Sequence, residues 1–201
     1  MKARRYLTHS EVLSILDATM GHRHQIRDYA MIVMGFLHGF RVSELTSLKL
    51  SDIDIESRSV FIRRLKNGFC TIHPLQPHEV DALTKWLAIR QGYLEGQSDW
   101  LFVTQRGLKL SRQRFYTLFK KYGYKAGLTI GAHPHMLRHA CGFELAEQGM
   151  DTRLIQDYLG HRNIHHTILY TASNSSRFSR VWKQNNFRHD IEVAEKKQTT
   201  L

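Results

Sequence analysis

An Asn-Gly step at Asn67-Gly68 separates two short β-compatible runs, Ser59 to Arg64 and Phe69 to His73, and so writes a tight hairpin into the chain. Asn-Gly supplies the positive backbone angles that a two-residue hairpin turn needs, so the two runs are expected to pair antiparallel. Asp52 to Ile55 is expected as a third strand beside them. Outside the hairpin the apolar pattern reverts to a helical period. Val12, Ile15 and Leu16, and then Met31, Met34 and Leu37, recur at the three- and four-residue spacings of helices that bury one face. Thr8-His9-Ser10-Glu11 has the form of a capping box and starts the first helix. Gly39 ends the second, and Arg41 opens a third from Val42 to Leu48. Helix resumes after Pro77 through Leu94, a brief strand or extended segment follows at Trp100-Leu101-Phe102-Val103, and helices fill the remainder to about Asn186. The expected fold is mostly α with a small antiparallel β-sheet.

The 201 residues suit one domain, and their 42% apolar content is enough to bury a core. Residues 1–187 are read as that domain and the polar stretch Arg188 to Leu201 as a loose tail, with no linker, repeat or low-complexity block between. Lys and Arg number 29 against 18 Asp and Glu, a net +11 that favours a polyanionic partner. Nucleic acid comes before an acidic membrane surface, because the basic residues are scattered among apolar periodic segments instead of lining one amphipathic helix. Cys70 and Cys141 have neither the number nor the spacing of a disulfide framework or zinc site, which fits a reducing cytoplasm. The basic start, Met1 to Tyr6, is not followed by an apolar run of signal-peptide length, and no window approaches a membrane span.

One ordered set of side chains suits phosphoryl transfer on a phosphodiester, where charge spreads over the nonbridging oxygens. Arg41 and Arg138 are forked cations that can clamp those oxygens at any working pH. Tyr170, nine residues after His161, is the candidate nucleophile, and a phenol with an ordinary pKa of about 10 needs help to lose its proton. His135 is the candidate base, and His161, 23 residues after Arg138, can donate a hydrogen bond to a nonbridging oxygen. Lys66, just before the hairpin turn, can protonate a departing 5′ oxygen. No metal ligands or cofactor are needed to complete this set. Singly, each residue has a plainer reading: a phosphate-contacting arginine, a solvated lysine, a half-buried tyrosine, or one of 13 histidines, with His133 and His139 as reminders of chance matches.

Order and local sequence together resemble the tyrosine recombinase (phage integrase) family over nearly the whole chain. Gly39-Phe40-Arg41-Val42-Ser43-Glu44-Leu45 resembles the family's first-arginine box, and Arg64-Leu65-Lys66-Asn67-Gly68 its hairpin lysine. His135-Met136-Leu137-Arg138-His139 resembles the His-x-x-Arg box, and Tyr158-Leu159-Gly160-His161 with Tyr170 the last two elements. Arg63 to Phe69 and His133 to Asn174 are most similar to the fimbrial phase-variation invertases of enteric bacteria. The resemblance implies the tyrosine recombinase catalytic-domain fold, a 3′-phosphotyrosine at Tyr170, a free 5′ hydroxyl, and no need for ATP. It also implies Glu44 as an orienting acid, double-stranded DNA with inverted-repeat sites as substrate, a homotetramer on synapsed DNA, and a place at the bacterial nucleoid. Most members carry a DNA-gripping domain of about one hundred residues before the catalytic one, a domain-sized piece. Here the first box begins at position 39, so no separate core-binding domain is expected, and accessory DNA-bending proteins enter as partners.

Two other functions share some of these features. A type IB topoisomerase uses the same phosphotyrosine route to relax supercoils, and a DNA-binding regulator could keep the fold without catalysis. The complete residue set argues against the regulator. Arg112, Gln113 and Arg114, opening a helix after Ser111, are candidates for reading base edges, although phosphate contact is the commoner fate of such side chains. Phe178, Val181 and Trp182 stand at helical spacing after Tyr170 as a candidate docking face for a neighbouring protomer.

Overall fold

The computed structural model describes residues 4, 6–64, 69–93 and 97–172. Lys66, the Asn67-Gly68 turn, Phe178, Val181, Trp182 and the tail from 188 lie outside the described residues. Helices dominate, as expected: α1 (His9–Asp17), α2 (Gln25–Leu37), α3 (Val42–Leu45), α4 (Pro77–Arg90), α5 (Arg112–Lys125), α6 (His135–Glu147), α7 (Thr152–Leu159) and α8 (His165–Ala172). Three short strands, β1 (Ile53–Asp54), β2 (Ser59–Ile62) and β3 (Thr71–Pro74), form one antiparallel sheet in sequence order.

The first helix starts where the capping box places it. The Thr8 hydroxyl accepts from the Glu11 amide, and the Glu11 carboxylate accepts from the Thr8 amide at 2.8 Å. α2 is the hub of the core. Ala30 to Met34 are all buried, and α2 packs on α1, α4 and α6. Burying each large apolar side chain there stabilises the fold by roughly 1.5–3 kcal/mol. α2 ends as its sequence predicts, with Gly39 at φ +56° directly after the His38 cap. In the sheet Val60 pairs with His73 and Ile53, and Val60 and Ile62 point into the core on alternate positions.

Some bounds differ from the sequence expectation, the strands being shorter or shifted by one or two residues. α3 stops at Leu45, because the Leu48 carbonyl is used by the Leu101 amide at 2.8 Å and the chain must leave the helix to present it. α4 stops at Arg90, whose guanidinium folds onto the carbonyls of Ser98, Trp100 and Leu101, and a 3-10 turn covers Gln91–Tyr93. Trp100 to Val103 forms no strand. It makes isolated bridges to two different segments, Lys49 to Trp100 and Val103 to Lys109, while Leu101, Phe102 and Val103 are all buried in succession. Trp86 of α4 fixes it from below by donating to the Leu101 carbonyl at 2.8 Å. No described helix is long and apolar enough to cross a membrane.

Candidate active site

Arg41 caps α3 in extended conformation, and Glu44 reaches back from the first turn to accept its amide at 2.9 Å. The same carboxylate accepts from Arg41 Nη1 at 2.6 Å and from Arg64 Nη1 at 3.1 Å. Glu44 and Arg64 are both buried, whereas the Arg41 side chain is 26% exposed. Burial alone would raise the Glu44 carboxyl pKa, but the Arg41 amide and then the two guanidiniums outweigh it and hold the group below the ordinary glutamate value. Arg64 also donates to the Tyr158 carbonyl, so the end of β2 is pinned to α3 and α7 together. A Cβ on Gly160 would come within 3.0 Å of the Arg64 side chain. Gly160 therefore serves both as the left-handed cap of α7, at φ +66°, and as clearance for Arg64.

Arg138, from the first turns of α6, is 1% exposed. Its Nη1 donates to the Gly39 carbonyl at 2.6 Å and its Nη2 to the Leu159 carbonyl at 2.7 Å, joining the ends of α2 and α7. A Cβ on Gly39 would meet Leu159 Cδ2 at 2.4 Å, so glycine is required both for the backbone angle and for this close approach. Burial, then the neighbouring Arg41 and Arg64, push the Arg138 pKa down to about 10, which leaves it charged near neutral pH.

Tyr170 projects from α8 into the cleft between α6 and α7. Its ring lies against Gly142, where a Cβ would meet the tyrosine at 2.6 Å, and edge-on to Phe143 with centroids 5.1 Å apart. Its hydroxyl is 3.0 Å from His139 Nδ1. The His161 ring stacks over it at 6.3 Å and 18°. The side chain is 1% exposed, and burial pushes the phenol up to about 12 against the opposing pull of Arg138. His161 follows the Gly160 cap and engages the Thr167 hydroxyl through Nδ1 at 2.9 Å. Burial, then Arg138 and Arg41, bring its pKa down to about 3, so it is a neutral imidazole in ordinary buffers.

With Arg41, Arg138, His161 and Tyr170 thus gathered around the meeting point of α2, α3, α6, α7 and α8, comparison with known proteins becomes specific. Residues 5–177 match the phage integrase family. The chain belongs to that family. It is 52% identical over 181 residues to the type 1 fimbriae regulatory protein FimB of Escherichia coli (strain K12), a match covering 90% of each chain. Among solved structures it resembles the XerA recombinase, with a TM-score of 0.77 at 30% identity over 89% of this chain and 64% of that one. It also resembles the XerH site-specific recombinase bound to a palindromic difH substrate, with a TM-score of 0.75 at 25% identity over 89% of this chain and 53% of that one. The tyrosine recombinases of this family are DNA strand-exchange enzymes.

His139, and not the candidate base His135, is the histidine in contact with the tyrosine hydroxyl in this structure. His135, read as the base for Tyr170, is exposed at the start of α6 and makes no hydrogen bond to the tyrosine. The hydroxyl contact belongs to His139, one helical turn on, whose ring touches His135 edge-on at 4.7 Å. A signal for this was available: His139 and Gly142 stand three apart on one helix face, and a glycine inside a helix marks a close approach. Arg64 stands in the hairpin motif without a role legible from sequence, because its burial against Glu44 depends on β2 meeting α3, a contact that no local pattern encodes. Lys66 lies outside the described residues. Arg112, Gln113 and Arg114 occupy the exposed first turn of α5, which the Ser111 hydroxyl caps by accepting from the Arg114 amide at 3.1 Å.

Proposed function

We propose that this recombinase inverts a promoter-bearing DNA segment between inverted repeats, through a 3′-phosphotyrosine on Tyr170, and so switches fimbrial gene expression. The observation that carries the chemistry is the pairing of the Tyr170 hydroxyl with His139 at 3.0 Å, with the His161 ring nearly parallel to the tyrosine ring and a buried, charged Arg138 nearby. The similarity to FimB over 90% of both chains supports the biological setting.

In this reading Tyr170 gives its proton to a histidine in the first turns of α6, where the candidate base His135 stands, and attacks the scissile phosphorus as the bond to the 5′ oxygen breaks, Lys66 giving that oxygen its proton. Arg41 and Arg138 bear the charge on the nonbridging oxygens. Arg138 spends only one N–H of each terminal nitrogen on a carbonyl, so the rest of its fork remains for a phosphate. His161 donates as a neutral imidazole. Glu44 orients Arg41 by holding its amide and its guanidinium at once. Because Tyr170 and Arg138 are each 1% exposed, engagement of DNA includes an opening of the cleft over them. Arg112, Gln113 and Arg114 contact the duplex from the first turn of α5.

The partner is double-stranded DNA at the bacterial nucleoid, with a homotetramer on the synapsed sites and DNA-bending proteins completing the assembly. Full-rate inversion by the purified protein alone would remove the bending proteins from this picture. The chemistry is tested by covalent trapping: wild type and Tyr170→Phe are incubated with nicked host-genome fragments, the mixture is denatured, and the DNA left on protein is sequenced. Adducts from wild type only, clustered at a pair of inverted repeats, are expected. Dispersed adducts would indicate a topoisomerase, and binding without adduct a regulator.

A further inference from the structure

Two imidazoles and one carboxylate are buried together where α2, β3 and α4 meet. His38 follows α2 as its cap, His73 lies in β3 and Glu79 stands in the first turn of α4. Their exposures are 1%, 4% and 0%. His38 Nε2 is 2.9 Å from Glu79 Oε1, and neither atom has another partner among the described residues. A lone pair turned to a carboxylate at that distance would be repelled, so Nε2 carries hydrogen. The other ring nitrogen, His38 Nδ1, faces His73 Nδ1 at 3.2 Å. Two lone pairs, or two N–H groups, would repel one another there, so a single proton lies between the rings. His73 Nε2 meets the Thr71 hydroxyl at 3.1 Å, which donates or accepts as the tautomer requires. Burial, then His38 and Arg64, bring the His73 pKa down to about 3, so the pair takes up no second proton near neutral pH.

His73 also reaches α7. Its ring lies on the Tyr158 ring with centroids 4.0 Å apart, and the Tyr158 hydroxyl donates to the Leu37 carbonyl at 2.9 Å. His38 and Tyr158 are the chain neighbours of Gly39 and Leu159, whose carbonyls Arg138 bridges. Arg64 Nη2 donates to the carbonyls of His38 and Tyr158 themselves. The peptide segments at 38–39 and 158–159 are thus joined by Arg138, by Arg64 and, on their side chains, by His73. None of these contacts involves Tyr170 or α8, so they do not depend on the closed arrangement around the tyrosine.

We infer that His73 is a positioning residue for Arg138: held between His38 and Tyr158, it sets the spacing of the two carbonyls that aim the Arg138 guanidinium at the phosphate. The inference rests on the reading of Arg138 as a clamp on the nonbridging oxygens. Glu79 fixes the arrangement from the other side. Its Oε1 directs the His38 ring, while its Oε2 accepts from the Gln76 amide at 2.9 Å and anchors the carboxylate to the start of α4.

The test is single-turnover adduct formation at saturating protein on a synthetic nicked duplex carrying the repeat recovered by trapping. Each of two variants breaks one half of the bridge. His73→Phe keeps a ring for Tyr158 but has no polar atom for His38, and His73→Asn keeps a polar atom but has no ring. Both are expected to form adduct about 10–10²-fold more slowly than wild type, the scale on which a misplacement of about 1 Å acts. A second duplex carries methyl in place of one nonbridging oxygen, in each of its two configurations. That linkage is neutral and asks less of a cation, so the deficit of Arg138→Lys should shrink on it and the His73 deficits should shrink in parallel. The deficit of Lys66→Ala should persist.

A His73 deficit of equal size on both duplexes would mean a loss of general order and would overturn the inference, as would wild-type rates in either variant. If one variant does not fold, the other decides, because each carries the same expectation. If wild type forms no adduct, or if Arg138→Lys keeps its full deficit on the neutral linkage, the reading of Arg138 falls and takes this inference with it. If Arg138→Lys responds as expected and the His73 variants do not, the inference alone falls.

Discussion

The two arginines expected to grip a phosphate are held in opposite ways. Arg41 is partly exposed and tied to Glu44, a buried carboxylate that it shares with Arg64. Arg138 is fully buried and faces two backbone carbonyls, with no ion pair among the described residues. Carbonyls orient a guanidinium without cancelling its charge, whereas a carboxylate does both. The Arg138 side of the site therefore keeps a positive field that a phosphate can use. The Glu44 corner instead spends its charge on holding α3, β2 and α7 in register.

The sharpest way to break this comparison is Glu44→Gln. Removing the carboxylate leaves the buried Arg64 guanidinium uncompensated, and a loss of about 3–5 kcal/mol in denaturant unfolding is expected, the usual cost of breaking a buried pair from one side. Near-wild-type stability would mean that the corner is held by packing and not by charge. Arg138→Lys should cost less stability and more chemistry. An ammonium cannot bridge the Gly39 and Leu159 carbonyls with a fixed fork, yet no counter-ion is stranded, so a stability loss of about 1–3 kcal/mol is expected. Adduct formation should fall by roughly 10²–10³-fold, as for other lost oxyanion donors. A variant that unfolds more readily than Glu44→Gln would reverse the ranking of the two sides.

Acid titration offers the mildest separation of the two sides. His161 and His73 are both brought to about 3 by burial, with neighbouring positive groups adding to it, so the folded protein resists protonation that the unfolded chain accepts near 6.5. Their contribution is complete above about pH 6.5 and is lost as pH falls toward 3, at no more than about 1.4 kcal/mol per pH unit for each group. Glu44 carries the depressed carboxyl, and its contribution is complete above the ordinary value of 4.5 and lost only below that. Stability measured from pH 8 to 4 should thus begin to decline through the histidines first. His161→Gln should flatten that upper part, and Glu44→Gln only the part below about 4.5.

Local chemistry was legible where a few neighbouring residues settle it. The Thr8 capping box, the end of α2 at Gly39 and the pairing of the two β runs follow from side-chain reach, from a backbone angle that glycine tolerates, and from the period of the strands. Tyr170, Arg138, Arg41 and His161 could be picked out because phosphoryl transfer needs those residue types and their order resembles a known family. Their convergence became visible only when α2, α3, α6, α7 and α8 were packed together.

Tertiary structure alone decided that Trp100 to Val103 would lie as a buried irregular segment, because its partners Lys49, Trp86 and Lys109 are remote in the chain. It alone placed His139 and not His135 on the tyrosine hydroxyl. Both histidines fit a helix face, and the choice between them turns on the depth at which α8 crosses α6, set by the gap at Gly142. It alone gave Arg64 its place on Glu44. Residue type and spacing determine which chemistry a chain can carry, while contact between distant elements determines which copy of a residue lies within hydrogen-bond reach of another, because a hydrogen bond is lost within a fraction of an ångström.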